Sequence, residues 1–193
     1  VIFEPQPREF FVPDAAPPRL TRLREKLTLL QQNGVDRVLC LAFNRRLREL
    51  SAEQFVQQVL IDGLGVRHLE VGDDFRFGCD RSGDFAFLQQ SGSEHGFTVE
   101  AANTVAENGE RISSSRLRQV LADGDFILAS LLLGRPFSIT GRVAYGQQLG
   151  RTIGAPTANV QLKRENPPLH GGYRVSVELD GVARKGVANI GKR

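Results

Sequence analysis

The chain of 193 residues lacks the marks of several protein classes. It has two cysteines, Cys40 in an apolar run and Cys79 in a polar loop with no Cys or His neighbour at ligand spacing. We therefore expect no disulfide framework and no zinc site, with Cys40 as a small buried thiol. The three histidines are dispersed and suggest no histidine-based triad. No apolar run approaches the ~20 residues of a membrane span and no signal peptide is visible, so we predict a cytoplasmic protein without a membrane partner.

The composition that is present indicates a folded protein with unevenly distributed charge. Hydrophobic residues make up 40% of the chain, enough for a packed core, and the length suits one large domain or two modest ones. Residues 1–134 contain 15 Lys and Arg against 19 Asp and Glu, whereas residues 135–193 contain 10 against three. A basic second part favours anionic ligands such as nucleotides or RNA, although a solvated basic surface would give the same composition.

Strand-like and helix-like patterns alternate over residues 1–134. Leucines at helical spacing before Gly34 predict one helix, and Ser51 with Gln54 forms a capping box that begins another. We predict strands at residues 1–3, 35–43, 68–72 and 97–99, the second of them buried, and helices at 20–30, from 51, at 83–95, near 115–121 and at 125–133. Because strands alternate with helices that can cover them, this part is predicted to contain a parallel sheet.

The pattern changes at residues 134–136, where Arg135-Pro136 follows a helix-stop glycine. Residues 137–143 and 173–179 alternate apolar and polar side chains, which is typical of half-buried strands. Asp180-Gly181 predicts a two-residue hairpin turn, because both positions of such a turn need positive φ. We therefore predict a first domain over residues 1–134 and a second over 135–193, the latter a small antiparallel β-barrel.

Residues 111–118, Arg-Ile-Ser-Ser-Ser-Arg-Leu-Arg, lie at a predicted loop-to-helix junction. A helix N-terminus exposes unpaired N–H groups and a partial positive charge, so a phosphate can bind there. The hydroxyls of Ser114 and Ser115 and the guanidinium groups of Arg111 and Arg118 would add donors. A serine N-cap with solvated arginines would explain the same residues. An RNA-contacting patch is a further alternative, although no aromatic residue interleaves the run.

A second candidate segment is rich in glycine, with Gly146, Gly150 and Gly154 preceding Thr157 and Asn159. Glycine allows close backbone approach, which suits a loop over phosphates, but the spacing matches neither a P-loop nor a dinucleotide fingerprint. Side chains two residues apart on an extended segment face the same way. The hydroxyl of Thr157 and the amide oxygen of Asn159 could thus ligate Mg²⁺. An ordinary glycine-rich turn is the alternative interpretation.

Asp74 lies in a third candidate segment, residues 72–78, that follows a predicted strand. Ligands of open α/β sheets bind at the carboxyl ends of parallel strands. Asp74 could accept a hydrogen bond from a base or ribose there, and Phe75 or Phe77 could stack on a ring. A turn whose phenylalanines fill the core is the competing interpretation.

These segments occur together, and in this order, in one enzyme family. The chain resembles the bacterial bifunctional riboflavin kinase/FMN adenylyltransferases, also called FAD synthetases. The resemblance rests on five stretches: residues 3–11, residues 71–78, residues 111–118, residues 133–137 leading to 156–159, and residues 187–191. It covers essentially the whole chain, and the combination is much more specific than any one stretch.

The resemblance implies a nucleotidyltransferase-like α/β domain that makes FAD from FMN and ATP, and a β-barrel domain that makes FMN from riboflavin and ATP. It places Asp74, Arg111, Ser114, Ser115 and Arg118 at the ATP of the first reaction. It assigns the flavin pocket of that reaction to Phe3, Pro5, Pro7, Phe11 and Phe77. In the kinase it places Gly146, Gly150, Gly154, Thr157 and Asn159 at ATP, with Thr157 and Asn159 also at Mg²⁺.

The chain also departs from the family pattern. The family's His-x-Gly-His motif, which lies upstream of Phe3, and its general-base glutamate, which lies downstream of residues 187–191, are absent from this sequence. We therefore expect a chain shortened at both ends, with neither catalytic set complete and both activities impaired. Ser115 stands where Thr is usual, and Gly172 where Val is usual.

The expected ligands are ATP, riboflavin, FMN and FAD, with no nucleic acid, and the sequence leaves a homo-oligomer open. A monofunctional adenylyltransferase with a supporting β domain, and an RNA-binding module, are the alternatives.

Overall fold

The computed structural model of the chain describes residues 1–144, 157–162 and 166–191. Contacts divide the chain into two compact units. The first contains Val1–Ala15 and Leu39–Ala106, and the second contains Ala16–Val38 and Glu107–Arg193. Neither unit is continuous in sequence, and the domain boundary at 134–136 stays a prediction. In the part of the chain that the structure describes, no helix combines the length and apolarity needed to cross a membrane.

The first unit is α/β. Its elements are β1 (Ile2–Glu4), α1 (Pro7–Phe11), β2 (Cys40–Ala42), α3 (Arg45–Arg48), α4 (Ala52–Phe55), β3 (His68–Val71), α5 (Phe85–His95) and β4 (Thr98–Ala101). Helix α4 continues as a π-helix over Val56–Ile61, and short 3₁₀ turns occupy Pro13–Ala15 and Cys79–Arg81. Strands β1 and β2 pair in parallel, as do β3 and β4. The predicted alternation and parallel pairing are confirmed.

Aromatic and aliphatic side chains share the core of the first unit. Its buried members are Ala52, Phe55, Val56, Leu60, Phe77, Leu88 and Phe97. The capping box that opens α4 is present as predicted: the Ser51 hydroxyl accepts from the Gln54 N–H, and the Gln54 side chain accepts from the Ser51 N–H. This cap starts the helix at Ala52, and Ala52 and Phe55 are both buried in the core.

The prediction of a buried strand over residues 35–43, with a buried Cys40, was wrong. Only Cys40–Ala42 is strand, and Cys40 is exposed. Leu41 packs against the core, whereas Cys40 and Ala42, which the two-residue period of a strand places on the opposite face, are exposed. An apolar run does not by itself reveal that one face of its strand remains uncovered.

The second unit combines helices with antiparallel strands. Its elements are α2 (Leu23–Gln32), β5 (Ala106–Glu107, whose first residue belongs to the first unit), β6 (Glu110–Arg111), α6 (Ser114–Ala122), α7 (Phe126–Leu133), β7 (Arg142–Ala144), β8 (Asn159–Gln161), β9 (Gly171–Leu179) and β10 (Val182–Ile190). The buried core members are Leu117, Val120, Leu121, Ala129, Leu132 and Leu169. Asp125 caps α7 by accepting from the Leu128 N–H, and Gly134 ends that helix with a φ of 65°, both as predicted.

Strands β9 and β10 form an antiparallel hairpin from Gly171↔Ile190 to Leu179↔Val182. Asp180 and Gly181 connect them with φ of 50° and 76°, which confirms the predicted turn. Strands β7 and β8 form a second antiparallel pair. The described strands thus make separate two-stranded sheets, and the closed barrel stays a prediction.

The predicted strand over residues 137–143 was largely wrong, since strand β7 begins only at Arg142. The backbone N–H of Thr140 donates to the Glu25 carboxylate at 2.7 Å instead of to a neighbouring strand. A side-chain acceptor from helix α2 thus takes the bond that a sheet partner would need. The alternating pattern of these residues carried no sign of that partner.

Candidate functional site

The N-terminus of α6 is capped by Ser113, one residue before the predicted phosphate-binding serines. The Ser113 hydroxyl accepts from the Arg116 N–H at 3.1 Å. Ser114 and Ser115 are the first two residues of the helix and are exposed. The N–H groups of a first turn have no partner within the helix and carry the positive end of its dipole. The cap therefore comes from Ser113, and anion binding by Ser114 and Ser115 stays a prediction.

Arg116 fixes the hairpin that precedes this helix, a role that the sequence did not reveal. Its Nε pairs with the Glu110 carboxylate at 2.9 Å, and its Nη1 donates to the carbonyl oxygens of Glu107 and Glu110 at 3.1 and 2.9 Å. The turn between β5 and β6 is Asn108-Gly109, with φ of 54° and 77°. That Asn-Gly pair is the signal that could have located the hairpin.

The two arginines predicted to bind phosphate differ in their surroundings. Arg111 is exposed and ends strand β6. Arg118 is half-buried, and its Nε donates to the Pro18 carbonyl oxygen at 2.7 Å. Arg118 therefore ties α6 to the segment that precedes α2, while Arg111 lies at the hairpin end beside the helix N-terminus. Their phosphate-binding roles stay predictions.

The predicted flavin residues lie in the first unit, near the junction of β1 and α1 or in the core. Phe3 and Phe11 contact the Phe43 ring edge-on, with centroid separations of 5.9 and 5.7 Å, and the Arg48 guanidinium lies 5.2 Å from the centre of the Phe11 ring. Pro5 is exposed between the two elements, and Pro7 is the first residue of α1. Phe11 is 51% exposed, so this aromatic cluster offers ring surface to solvent.

Phe77 is a core residue, 7% exposed. It stacks on Phe75 with a centroid separation of 5.6 Å and an interplanar angle of 15°, and it contacts Phe55 and Phe87. A Cβ at Gly83 would lie 2.5 Å from the Phe77 ring, so only glycine allows this packing. These contacts agree with the competing interpretation that the phenylalanines of this segment fill the core.

Asp74 is exposed in the turn that follows strand β3. A side chain at Gly72 would place its Cβ 2.8 Å from the Asp74 Oδ1, so glycine leaves that oxygen its present position. Asp74 and the flavin residues belong to the first unit, whereas Arg111, Ser114, Ser115 and Arg118 belong to the second.

The predicted kinase residues are described only in part. Gly146, Gly150 and Gly154 lie outside the described residues. Thr157 is exposed, and Asn159 is the half-buried first residue of β8, paired with Ala144. A hydroxyl, an amide oxygen, waters and phosphates form a donor set that Mg²⁺ accepts. Among the described side chains, no three or more His, Cys, Asp or Glu residues are grouped to hold a metal.

Gly172, where the resemblance expects Val, pairs with Asn189 in the β9–β10 hairpin. A Cβ at Gly172 would meet nothing within 4 Å. No neighbouring atom therefore requires glycine at this position, and a Cβ would fit without a clash.

Two family models match the chain in succession. A model described as FAD synthetase matches residues 1–116, and one described as riboflavin kinase matches residues 133–193. The chain belongs to the FAD synthetase family. The family suggested by the five sequence stretches is confirmed, and the segment of Ser114 and Ser115 lies at the end of the FAD synthetase match.

Curated relatives carry a name that joins two activities. The bifunctional riboflavin kinase/FMN adenylyltransferase of Pseudomonas fluorescens is 64% identical over 193 residues, which is 100% of this chain and 62% of the relative. The enzyme of the same name from Escherichia coli K12 is 54% identical over 196 residues, with the same coverage. The chain thus spans 62% of the length of these FAD synthetase relatives.

A solved structure is also similar. A crystal structure described as a macrolide-efflux protein from Streptococcus pneumoniae matches with a TM-score of 0.77 and 28% identity. The match covers 99% of this chain and 62% of the chain in that structure. The efflux name is that protein's own, and the structural match adds fold evidence for nearly the whole chain.

Proposed function

We propose that this chain acts in flavin cofactor synthesis through two ATP-dependent reactions. Residues 135–193, as a small β-barrel, phosphorylate riboflavin to FMN. Residues 1–134, as a nucleotidyltransferase-like domain, adenylylate FMN to FAD. The observation that carries the proposal is the N-terminus of α6, where two exposed serines begin a helix whose cap is supplied by a third.

In the adenylyl transfer, a phosphate oxygen of FMN attacks the α-phosphorus of ATP, and the bond to the departing pyrophosphate breaks. Negative charge on the phosphates must be stabilised while that bond breaks. Correctly positioned hydrogen-bond donors provide this stabilisation, and covalent chemistry by the protein is not needed. The first-turn N–H groups of α6, the hydroxyls of Ser114 and Ser115, and the side chains of Arg111 and Arg118 supply such donors. Asp74 accepts from the adenine nucleotide, and Phe3, Pro5, Pro7, Phe11 and Phe77 form the flavin pocket.

In the kinase reaction, the 5′-hydroxyl of riboflavin attacks the γ-phosphorus of ATP, and the bond from that phosphorus to the bridging oxygen of the departing ADP breaks. The hydroxyl proton passes to the general-base glutamate that the family has downstream of residues 187–191. Thr157 and Asn159 hold Mg²⁺, which neutralises phosphate charge when bound. Gly146, Gly150 and Gly154 let the backbone approach the phosphates closely. The chain operates in the cytoplasm on these small molecules.

The chain spans 62% of the length of its relatives. The test compares this chain with a chimera that adds the remaining residues of the Pseudomonas fluorescens relative. Each protein receives ATP and Mg²⁺ with either riboflavin or FMN, and the flavin products are separated. We expect the chimera to form FMN from riboflavin and FAD from FMN, and a chimera that forms neither product would contradict the proposed function.

Paired substitutions in the chimera test the assignment of the two sites. Asn159→Ala should lower FMN formation by about a hundredfold, since it removes a group that stabilises transferring phosphate, while FAD formation from FMN persists. Ser114→Ala with Ser115→Ala should lower FAD formation by about tenfold and spare FMN formation. If Asn159→Ala leaves FMN formation unchanged, the β region only supports adenylyl transfer.

RNA binding is the second candidate, and the observation that favours it is the exposed basic surface of the β9–β10 hairpin. Arg174 and Lys185 are exposed on one face of the hairpin, and Arg184 is exposed on the other. A shift of labelled RNA that weakens with salt and ignores ATP and flavin would support this alternative. Absence of such a shift alongside flavin-dependent activity supports the flavin reactions.

A further inference from the structure

Helix α2 begins with a buried carboxylate. Glu25 is 8% exposed, and it is the charged residue among those that the described part of the chain buries. Its Oε2 accepts from the Arg22 N–H at 2.7 Å, which is the bond of a capping box. The first turn of a helix favours a negative charge. Capping uses one carboxylate oxygen and does not explain why the group is buried.

The second oxygen of Glu25 binds a residue 115 positions away. Oε1 accepts from the Thr140 N–H at 2.7 Å and from the Thr140 hydroxyl at 3.0 Å. The Thr140 carbonyl oxygen in turn accepts from Arg22 Nη2 at 2.7 Å. Two residues at the start of α2 therefore bind the N–H, the hydroxyl and the carbonyl of one threonine.

Burying the Glu25 carboxylate costs free energy, because the charge loses its hydration. A buried charge needs hydrogen bonds to offset its lost hydration, and the carboxylate obtains them from Thr140 and Arg22. The Nε of Arg22 is buried and has no hydrogen-bond partner within the described ranges. The Arg22 guanidinium thus keeps its bond to the Thr140 carbonyl oxygen although this Nε has no partner there.

The three residues connect the two parts of the chain that the family models match. Arg22 and Glu25 fall within the match over 1–116, and Thr140 falls within the match over 133–193. All three belong to the second compact unit. The same short segment is held a second time at Pro18, whose carbonyl accepts from Arg118 of α6.

We propose that Arg22 and Glu25 form a latch that fixes residues 137–141 against the start of α2. The latch ties the entry of the riboflavin kinase region to the FAD synthetase region, and it keeps Thr140 out of strand pairing. Arg22, Glu25 and Thr140 are positioning residues; none of them is assigned to either reaction.

Tryptic cleavage after Arg142 tests the latch in this chain under native conditions. The bond after Arg135 is followed by Pro136 and resists trypsin. Arg142 directly follows the segment and begins β7, so cleavage there reports opening of the segment together with that strand end. Cleavage of a held segment requires its local opening. Glu25→Ala should raise the cleavage rate after Arg142 at least tenfold, because all bonds of the carboxylate to Thr140 are lost.

Thr140→Val deletes only the hydroxyl bond and should raise cleavage about threefold to fivefold, while Thr140→Ser should restore the original rate. The double variant Glu25→Ala, Thr140→Val should cleave no faster than Glu25→Ala, because the two residues act through one interaction. Cleavage after exposed Arg67, in the first unit, should stay unchanged in every variant.

Several results would overturn the latch. An unchanged rate after Arg142 in Glu25→Ala, fully independent effects in the double variant, or an equal acceleration after Arg67 would each do so. If Glu25→Ala does not fold, Thr140→Val decides alone: its cleavage after Arg142 must rise while cleavage after Arg67 does not. Glu94→Gln, an exposed carboxylate on α5 bonded to Gln90, is the matched control and should leave both sites unchanged.

Discussion

The two candidate phosphate segments rest on different supports. Helix α6 has a serine cap, a hairpin fastened by Arg116, and Leu117 and Leu121 buried beneath it. Strand β8 has three residues and, among the described strands, pairs with β7. Val143 on β7 and Val160 on β8 are 62% and 46% exposed. Among the described residues, α6 thus contributes side chains to the core and the β7–β8 pair contributes none.

This difference affects how strongly the geometry of each segment depends on the surrounding fold. A helix N-terminus points its N–H groups at a ligand because of its own geometry, once a cap and a core face fix the helix. Side chains on a short strand are oriented only by neighbours on both sides of it. Asn159, on β8, therefore depends on more of the surrounding fold than Ser114 and Ser115 do.

Another helix start in the chain already stabilises an anion with the donors that α6 offers. Helix α4 is capped by Ser51, and Glu53 in its first turn accepts from the Ser51 hydroxyl at 2.8 Å. The hydrogen bond from its own backbone N–H, and then the Ser51 hydroxyl, lower the pKa of Glu53. Backbone N–H and serine hydroxyl together thus favour negative oxygen here, as proposed for phosphate at α6.

Leu121→Ala should produce the largest contrast between the two supports. Leu121 is 1% exposed beneath α6, and its truncation should cost about 3 kcal/mol of unfolding free energy through lost burial and a cavity. Val160→Ala on β8 should cost less than about 1 kcal/mol, because the side chain is already half in water. Urea denaturation followed by circular dichroism measures both. Equal losses would show that the two supports do not differ.

Arg116→Gln should have the next largest effect. It removes the ion pair with Glu110 and two bonds to backbone carbonyls, which together contribute about 2 kcal/mol. The matched control is Arg45→Gln, which breaks the exposed pair with Glu49 and should cost no more than about 0.5 kcal/mol. The same denaturation experiment compares them. A loss at Arg116 no greater than at Arg45 would contradict its role in fixing the hairpin.

Ser113→Ala should lower the unfolding free energy by about 1 kcal/mol through loss of the cap. Ser115→Ala, two residues later, should change stability by less than about 0.5 kcal/mol, since alanine is a good helix former. In the chimera, Ser115→Ala should nevertheless slow FAD formation. Measuring stability and activity for both variants separates capping from phosphate binding, and a Ser115→Ala protein with normal FAD formation would remove that serine from the site.

The pH dependence of Glu53 gives the smallest effect. A carboxyl whose pKa is lowered on folding adds stability above its ordinary pKa of 4.5, and this contribution is lost as the pH falls through the lowered value. The difference in melting temperature between the original chain and Glu53→Gln should therefore be larger at about pH 7 than at about pH 3. A difference that does not change with pH would show that this helix start does not favour the anion.

Local signals were strong enough to predict most elements of the fold. Ser51 with Gln54, Asp125, Gly134 and Asp180-Gly181 fix backbone geometry through their own side chains or their tolerance of positive φ, and the structure has each of them as predicted. The parallel pairing of β1 with β2 also followed from the alternation of strands and helices. The caps and turns depend on residues close together in sequence, whereas the strand pairing followed from the pattern of the whole region.

The failures came from partners that are distant in sequence. Residues 137–141 have a strand pattern, but the Glu25 carboxylate binds the Thr140 N–H. Residues 35–43 are rich in strand-forming apolar residues, but β2 begins only at Cys40 and buries one face. Arg116 was not singled out beside Arg111 and Arg118, because its contacts with Glu107 and Glu110 exist only when the β5–β6 hairpin is formed.

The sequence by itself determined the family, the order of the candidate segments, and the helix starts and turns, because each rests on residue identities or on interactions within about four residues. The tertiary structure decided which serine caps α6, which arginine fastens its hairpin, that Phe77 lies in the core, and that Glu25 binds Thr140. Those outcomes depend on which donors and acceptors the folded chain brings within hydrogen-bond distance, and sequence spacing does not contain that information.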